Sequence, residues 1–130
     1  MPPSPVAKKL LIKPSTRAAV VNPPEGFLNL LEPLPEGADV ATSLSPGRDL
    51  VQVFLEDLAS LERTIPAAVE ALKPGGVLWV AYPKGGKKAG TDLNRDILWE
   101  AMKKFRLEGV TLVAIDDRWS SMRFKPMAGG

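Results

Sequence analysis

The chain has 130 residues, among them 13 prolines and 11 glycines but no cysteine and no histidine. That length suits one domain, and 45% apolar with 25% charged residues is ordinary globular usage. The missing residue types exclude a disulfide framework, a thiolate nucleophile, a zinc site built on Cys or His, and any triad that needs His.

The formal charge is +2, divided as −2 over residues 1–65 and +4 over residues 66–130. So small a balance does not imply a polyanionic partner, and basic loops on a solvated surface explain it. No apolar run approaches the ~20 residues of a membrane span. The start, Met1-Pro2-Pro3-Ser4-Pro5, lacks a cationic region followed by an apolar stretch. No membrane is therefore expected, and the cytoplasm is the default compartment. Residues 1–9 are expected to be a flexible Pro-rich arm, residues 10–126 one α/β domain, and residues 127–130 a disordered tail.

Taken in chain order, apolar runs alternate with amphipathic stretches, the mark of an α/β domain with a mainly parallel sheet. The first strand is predicted at Arg17–Val21, in which Ala18, Ala19, Val20 and Val21 form a continuous apolar run suited to a strand covered on both faces. Asn22-Pro23-Pro24-Glu25-Gly26 breaks it. A short helix then carries Phe27, Leu30 and Leu31 on one face, ended by Pro33 and Pro35. A weaker second strand spans 38–43, and a third spans 49–55. The next helix, 57–72, has apolar positions Leu58, Leu61, Ile65, Ala68, Val69 and Leu72 at spacings of three and four. Pro66 lies inside it, so a kink or restart is expected there, with Thr64 as cap.

Lys73-Pro74-Gly75-Gly76 reads as a tight turn and 77–82 as a buried fourth strand. Residues 83–90 form a loop with three lysines. Thr91 is expected to cap a helix running to about Phe105, with Leu93, Ile97, Ala101 and Phe105 as inner stripe and Leu98 and Met102 beside it. A fifth strand at 110–115 and a sixth at 119–125 are joined by a turn too short for a crossover, so they form an antiparallel hairpin. The expected core includes Val20, Val51, Val53, Phe54, Leu78, Val80, Val113 and Ile115.

The lead-in Leu10-Leu11-Ile12-Lys13-Pro14, the stretch Leu72-Lys73-Pro74-Gly75-Gly76-Val77-Leu78 and the closing hairpin together resemble class I S-adenosylmethionine-dependent methyltransferases. The resemblance covers about residues 10–125, as a shortened version missing one strand–helix unit. More narrowly, Tyr82-Pro83-Lys84, Thr91-Asp92-Leu93-Asn94-Arg95-Asp96 and Trp119-Ser120-Ser121-Met122-Arg123-Phe124 are similar to a small bacterial family of unknown function. That family implies a size and a fold but no activity. The implied fold is a single Rossmann-like domain with helices on both faces. Its six-stranded, mostly parallel sheet has order 2-1-3-4-6-5 with the last strand antiparallel. Its crevice lies at the carboxyl ends of the first and third strands, where the winding reverses.

The resemblance also implies a glycine-rich loop after the first strand and an acid at the end of the second to hold ribose hydroxyls. This chain has one glycine and two prolines in that loop, and Ala41-Thr42-Ser43 where the acid belongs. Prolines supply no N–H donors. The expectation is therefore a non-catalytic binding or interaction protein without a predicted cofactor. The alternative is a methyltransferase or nucleotide-like ligand-binding enzyme that uses S-adenosylmethionine.

The candidate ligand-binding residues are Asn22, Glu25, Gly26, Lys84, Thr91 and Asp92. Glu25 reads either as a crevice carboxylate or as a first-turn helix acid. Lys84, with Lys87 and Lys88, belongs either to an anion-wrapping loop before a helix N-terminus or to a solvated loop. Thr91-Asp92 reads most simply as a helix cap. Trp99 is the candidate interaction surface, for a homo-oligomer or a protein partner; packing against the arm at residues 6–12 is equally open. No catalytic residue and no metal is predicted. Nucleic acid is not an expected partner, because clustered aromatics for base stacking are missing.

Overall fold

In a computed structural model, residues 4–85 and 90–127 are described. A six-stranded sheet runs through the molecule in the order β2-β1-β3-β4-β6-β5. Its strands are β1 (Arg17–Val21), β2 (Asp39–Ala41), β3 (Arg48–Phe54), β4 (Leu72–Pro83), β5 (Leu107–Ala114) and β6 (Trp119–Pro126). Pairing is parallel from β2 through β4, and β6 is antiparallel to both β4 and β5. This is the expected order and the expected antiparallel last strand.

Alternation along β4 assigns the two faces. Leu78, Val80 and Tyr82 join a core with α3 (Leu58–Ala71) and α4 (Arg95–Met102), through Leu61, Ile65, Leu98 and Met102. Trp79 and Ala81 face the other way, beneath α1 (Pro5–Lys9) and α2 (Phe27–Leu30), with Ala7, Leu10, Ile12 and Phe27. Of the expected core residues, Val20, Val51, Val53, Phe54, Leu78, Val80 and Ile115 are buried and Val113 is half-buried.

The amino-terminal residues depart most from expectation. Residues 5–9 form α1, capped by Ser4, whose Oγ accepts from the backbone N–H of Val6 and Ala7 at 3.1 and 3.2 Å. Ser4 Oγ also donates to the Leu30 carbonyl, and its N–H donates to the Pro33 carbonyl at 3.0 Å. The indole Nε1–H of buried Trp79 donates to the Leu10 carbonyl at 2.9 Å. The segment is ordered because it covers Trp79 and Ala18, which would otherwise lie bare on that face. Residues 1–3 of the expected arm and 128–130 of the expected tail lie outside the described residues. Met127, also assigned to the tail, donates its N–H to the Arg106 carbonyl at 2.9 Å.

Several elements also differ, among them β5, which starts at Leu107 and not at 110. β2 has only three residues. β4 begins at Leu72, because the Lys73–Gly76 turn bulges out of a strand whose pairing with β3 resumes at Val77. α3 runs through Pro66 without a restart; Pro66 is exposed, so the Glu62 carbonyl it leaves without a backbone donor is on the solvent side. α4 starts at Arg95, capped by Asn94, whose Oδ1 accepts from Ile97 N–H at 2.8 Å, and not by Thr91. Its inner stripe centres on Leu98 and Met102, leaving Ile97 exposed. A 3-10 turn, Lys103–Phe105, follows.

Candidate functional site

The carboxyl ends of β1, β3 and β4 share one edge of the sheet, and the loops that leave them enclose two hollows. The first, about 320 Å³, is lined by Asn22, Pro23, Pro24, Phe54, Glu56, Ser60 and Trp119. The second, about 440 Å³, is lined by Glu56, Pro83, Lys84, Gly90, Thr91, Asp117, Arg118 and Trp119. Glu56 and Trp119 belong to both, so the hollows adjoin. Each falls in the lower part of the volume range usual for small-molecule sites.

Aromatic rings make the floor. Phe54 meets Trp119 edge-on, with centroids 5.1 Å apart, and Phe27 meets Phe54 at 4.6 Å. Such edge-to-face pairs hold rings rigidly. Trp119 reaches this place because the turn before β6 is locked. Asp116 Oδ1 accepts from the N–H of Arg118 and Trp119 at 2.8 and 2.9 Å, and Lys84 N–H donates to the Arg118 carbonyl at 2.8 Å.

The wall between the hollows is also built by hydrogen bonds. Thr91 Oγ donates to the Glu56 carbonyl and accepts from Leu93 N–H at 3.0 Å. Asp92 Oδ1 accepts from Leu58 N–H, in the first turn of α3, at 2.9 Å. Asp57 caps the same helix by accepting from Ser60 N–H at 2.8 Å, which holds its carboxyl below the usual carboxylate range. These bonds tie the chain before α4 to the loop after β3, and they leave the Glu56 side chain exposed.

Asn22 lies at the crevice, with φ of +56°. This left-handed turn suits glycine first and Asn next. Glu25 and Gly26 sit outside the two hollows, on a shallower neighbouring depression with Pro23, Pro24, Leu28 and Asn29. Gly26 has φ +84° and precedes α2; a Cβ there would meet nothing within 4 Å, so its need is conformational rather than a close approach. Lys84 and Thr91 line the second hollow, whereas Asp92 lines neither and serves α3. Lys87 and Lys88 lie outside the described residues.

Trp99 lies away from the crevice and does not pack against the arm at residues 6–12, which covers the opposite face. Its Cε3 lies 3.4 Å from where a Cβ on Gly109 would be, so glycine at 109 lets the ring close on β5. The shift of the inner stripe to Leu98 explains this, because Trp99 then sits on its flank. Glu56, Ser60, Asp117, Arg118 and the crevice position of Trp119 were not among the expected site residues. Glu56 follows the third strand, where ligand crevices of such sheets form, so that rule would have found it. Trp119 arrives only through the pairing of β6 with β4.

The residues present do not match the two features that the resemblance implies for a nucleoside cofactor. Pro23 and Pro24 line the crevice and carry no N–H. Asp39 opens β2 at the opposite edge of the sheet, beside Arg17, and pairs with Arg48 at 3.7 Å. Among the described residues, no three carboxylates gather as a metal site would require, and no helix is long and apolar enough to cross a membrane.

No family model matches the chain, and no curated protein is detectably similar to it in sequence. Solved structures are similar in fold. DhpI in its complex with SAH superposes with a TM-score of 0.63 at 10% identity, over 95% of this chain and 84% of that one. A SAM-dependent methyltransferase from Aquifex aeolicus gives 0.60 at 12% identity, over 92% and 86%. A ribosomal protein L11 methylase from Lactobacillus delbrueckii subsp. bulgaricus gives 0.59 at 11%, over 94% and 75%. The chain therefore has the Rossmann-like fold of the class I methyltransferases.

Proposed function

We propose that this methyltransferase-fold domain is a binding or interaction protein that does not transfer methyl groups. The observation that carries the reading is the crevice wall itself. Asn22-Pro23-Pro24 stands where a glycine-rich loop would present N–H groups to a cofactor, and two of its three residues have none to present. The absence of a carboxylate where β2 ends supports the same reading.

A second reading draws on the hollow that remains. Asn22, Glu56 and Ser60 offer amide, carboxylate and hydroxyl groups above an aromatic floor, which suits a small polar ligand with a flat apolar part. In that case the protein is a methyltransferase or an enzyme for a nucleotide-like ligand.

Titration calorimetry with S-adenosylmethionine and S-adenosylhomocysteine separates the two. The non-catalytic reading expects no heat and an unshifted melting temperature at millimolar ligand. Micromolar binding would overturn it, since ligand at one hundred times Kd adds about 2.7 kcal/mol to stability and raises the melting temperature visibly.

A further inference from the structure

We infer that the two adjoining hollows together take a free α-amino acid with a flat apolar side chain: carboxylate at Lys84 and Arg118, ammonium at Glu56, side chain over Phe54 and Trp119. The inference rests on the binding reading above and names a ligand class for it. The second hollow carries charges of both signs, Lys84 and Arg118 against Glu56 and Asp117. Unlike charges that share a hollow ordinarily close on one another. Among the described residues, none of these four makes an ion pair. The two cations are nevertheless neighbours, because Lys84 N–H donates to the Arg118 carbonyl at 2.8 Å. Asp116, the other acid of that turn, directs its carboxylate back to the N–H groups of Arg118 and Trp119.

The order of groups along the sheet edge selects the ligand. With β4 lying between β3 and β6, the Glu56 loop flanks Lys84 on one side and the Arg118 turn flanks it on the other. Thr91 fixes the backbone of Glu56 by donating to its carbonyl. Glu56 also lines the first hollow, where Phe54 and Trp119 present their rings. An aromatic floor, a carboxylate and a pair of cations therefore follow one another. An α-amino acid carries an apolar side chain, an ammonium and a carboxylate on one carbon, so from the Glu56 junction it reaches all three. Charge-assisted hydrogen bonds of this kind are about twice as strong as neutral ones. A phosphate ester is selected against, because the four side chains sum to no net charge and the two acids oppose a dianion. Asp117 is exposed on its turn and stays with solvent.

Titration calorimetry of the intact chain with L-tryptophan and L-phenylalanine tests the inference, against indole-3-propionate, tryptamine and adenosine monophosphate. At least one of the two amino acids is expected to bind with Kd below about 1 mM. Indole-3-propionate lacks the ammonium and tryptamine lacks the carboxylate; each should bind about tenfold more weakly than tryptophan. Glu56→Gln should erase the preference over indole-3-propionate, and Arg118→Ala or Lys84→Ala the preference over tryptamine. All three side chains are exposed, and the backbone bonds of the turn survive the changes, so melting should show folded variants. Lys125→Ala, at the opposite end of β6, should leave binding unchanged. No heat from either amino acid at about 10 mM overturns the inference. So do analogues that bind as tightly as tryptophan, variants that bind like wild type, or adenosine monophosphate binding more tightly than both amino acids. The S-adenosylhomocysteine titration is read separately: silent amino acids leave the non-catalytic reading standing, and micromolar S-adenosylhomocysteine binding overturns that reading whatever the amino acids do.

Discussion

Single residues set the walls of the crevice, and Thr91 is the most consequential of those described. Its buried hydroxyl satisfies the Glu56 carbonyl and the Leu93 N–H at once. Thr91→Val keeps the shape and removes both bonds, so unfolding in urea should show a loss of about 1–3 kcal/mol. At the opposite edge, Asp49 joins three segments. Its carboxylate pairs with Lys73 and accepts from the Arg17 backbone N–H at 2.8 Å. The bond from Lys73, then that from Arg17, holds its carboxyl below the ordinary 3.8. A lowered acid contributes stability above its unfolded pKa and loses that contribution as pH falls through the folded one. Melting temperatures should therefore be lower for Asp49→Asn than for wild type at pH 7, and the two should converge below pH 3.8. Tyr82 runs in the opposite sense: burial first raises its hydroxyl above the ordinary 10.0, so its contribution is full below that pH and fades as pH rises. Thr91 was expected to cap the next helix, a role that Asn94 takes. That its hydroxyl serves the β3 loop was not legible, because Glu56 is distant in sequence.

Among elements, α3 shows how local rules yield to packing. Proline inside a helix costs roughly 3 kcal/mol relative to alanine, which is why a restart near Thr64 was the local expectation. Leu61, Ile65 and Ala68 are fully buried on both sides of Pro66, and their contact with the sheet outweighs that cost. Pro66→Ala should then stabilise the fold, by about 1–2 kcal/mol once the freer unfolded chain is counted, as measured by the urea midpoint at constant m-value. α4 teaches the complementary point. Two ladders, Ile97–Ala101 and Leu98–Met102, lie one position apart, and the 3.6-residue period cannot choose between them. The sheet chose Leu98 and Met102, which rotated Trp99 onto Gly109 and made it part of the β5 surface. The strands were far more legible, because continuous apolar runs at β1, β3 and β4 require cover on both faces.

The whole molecule depends on its amino-terminal segment to a degree the composition hid. Leu10 and Ile12 are buried, and burying each is worth about 1.5–3 kcal/mol. A small domain has about 5–15 kcal/mol in total. Removing residues 1–12 should therefore take away a large share of that stability, and should also leave the Trp79 indole without its Leu10 acceptor. The expected outcome is a truncated chain with a broad, early melting transition and a red-shifted tryptophan emission. Retention of a sharp transition within a few degrees of the full chain would show that α1 is dispensable. From the sequence alone came the α/β class, the strands, the helices after the amino-terminal segment and, through the resemblance, the sheet order. It also determined what the crevice loop lacks, since Pro23 and Pro24 have no N–H in any conformation. These properties follow from each residue's own chemistry and from periodicities spanning a few neighbours. Only the tertiary structure decided that the Pro-rich start folds over Trp79, that Glu56 and Trp119 meet at one crevice, and that Val110 and Leu112 stay open at an edge. Each of these depends on which distant segments share the same side of a sheet, and no short-range period carries that information.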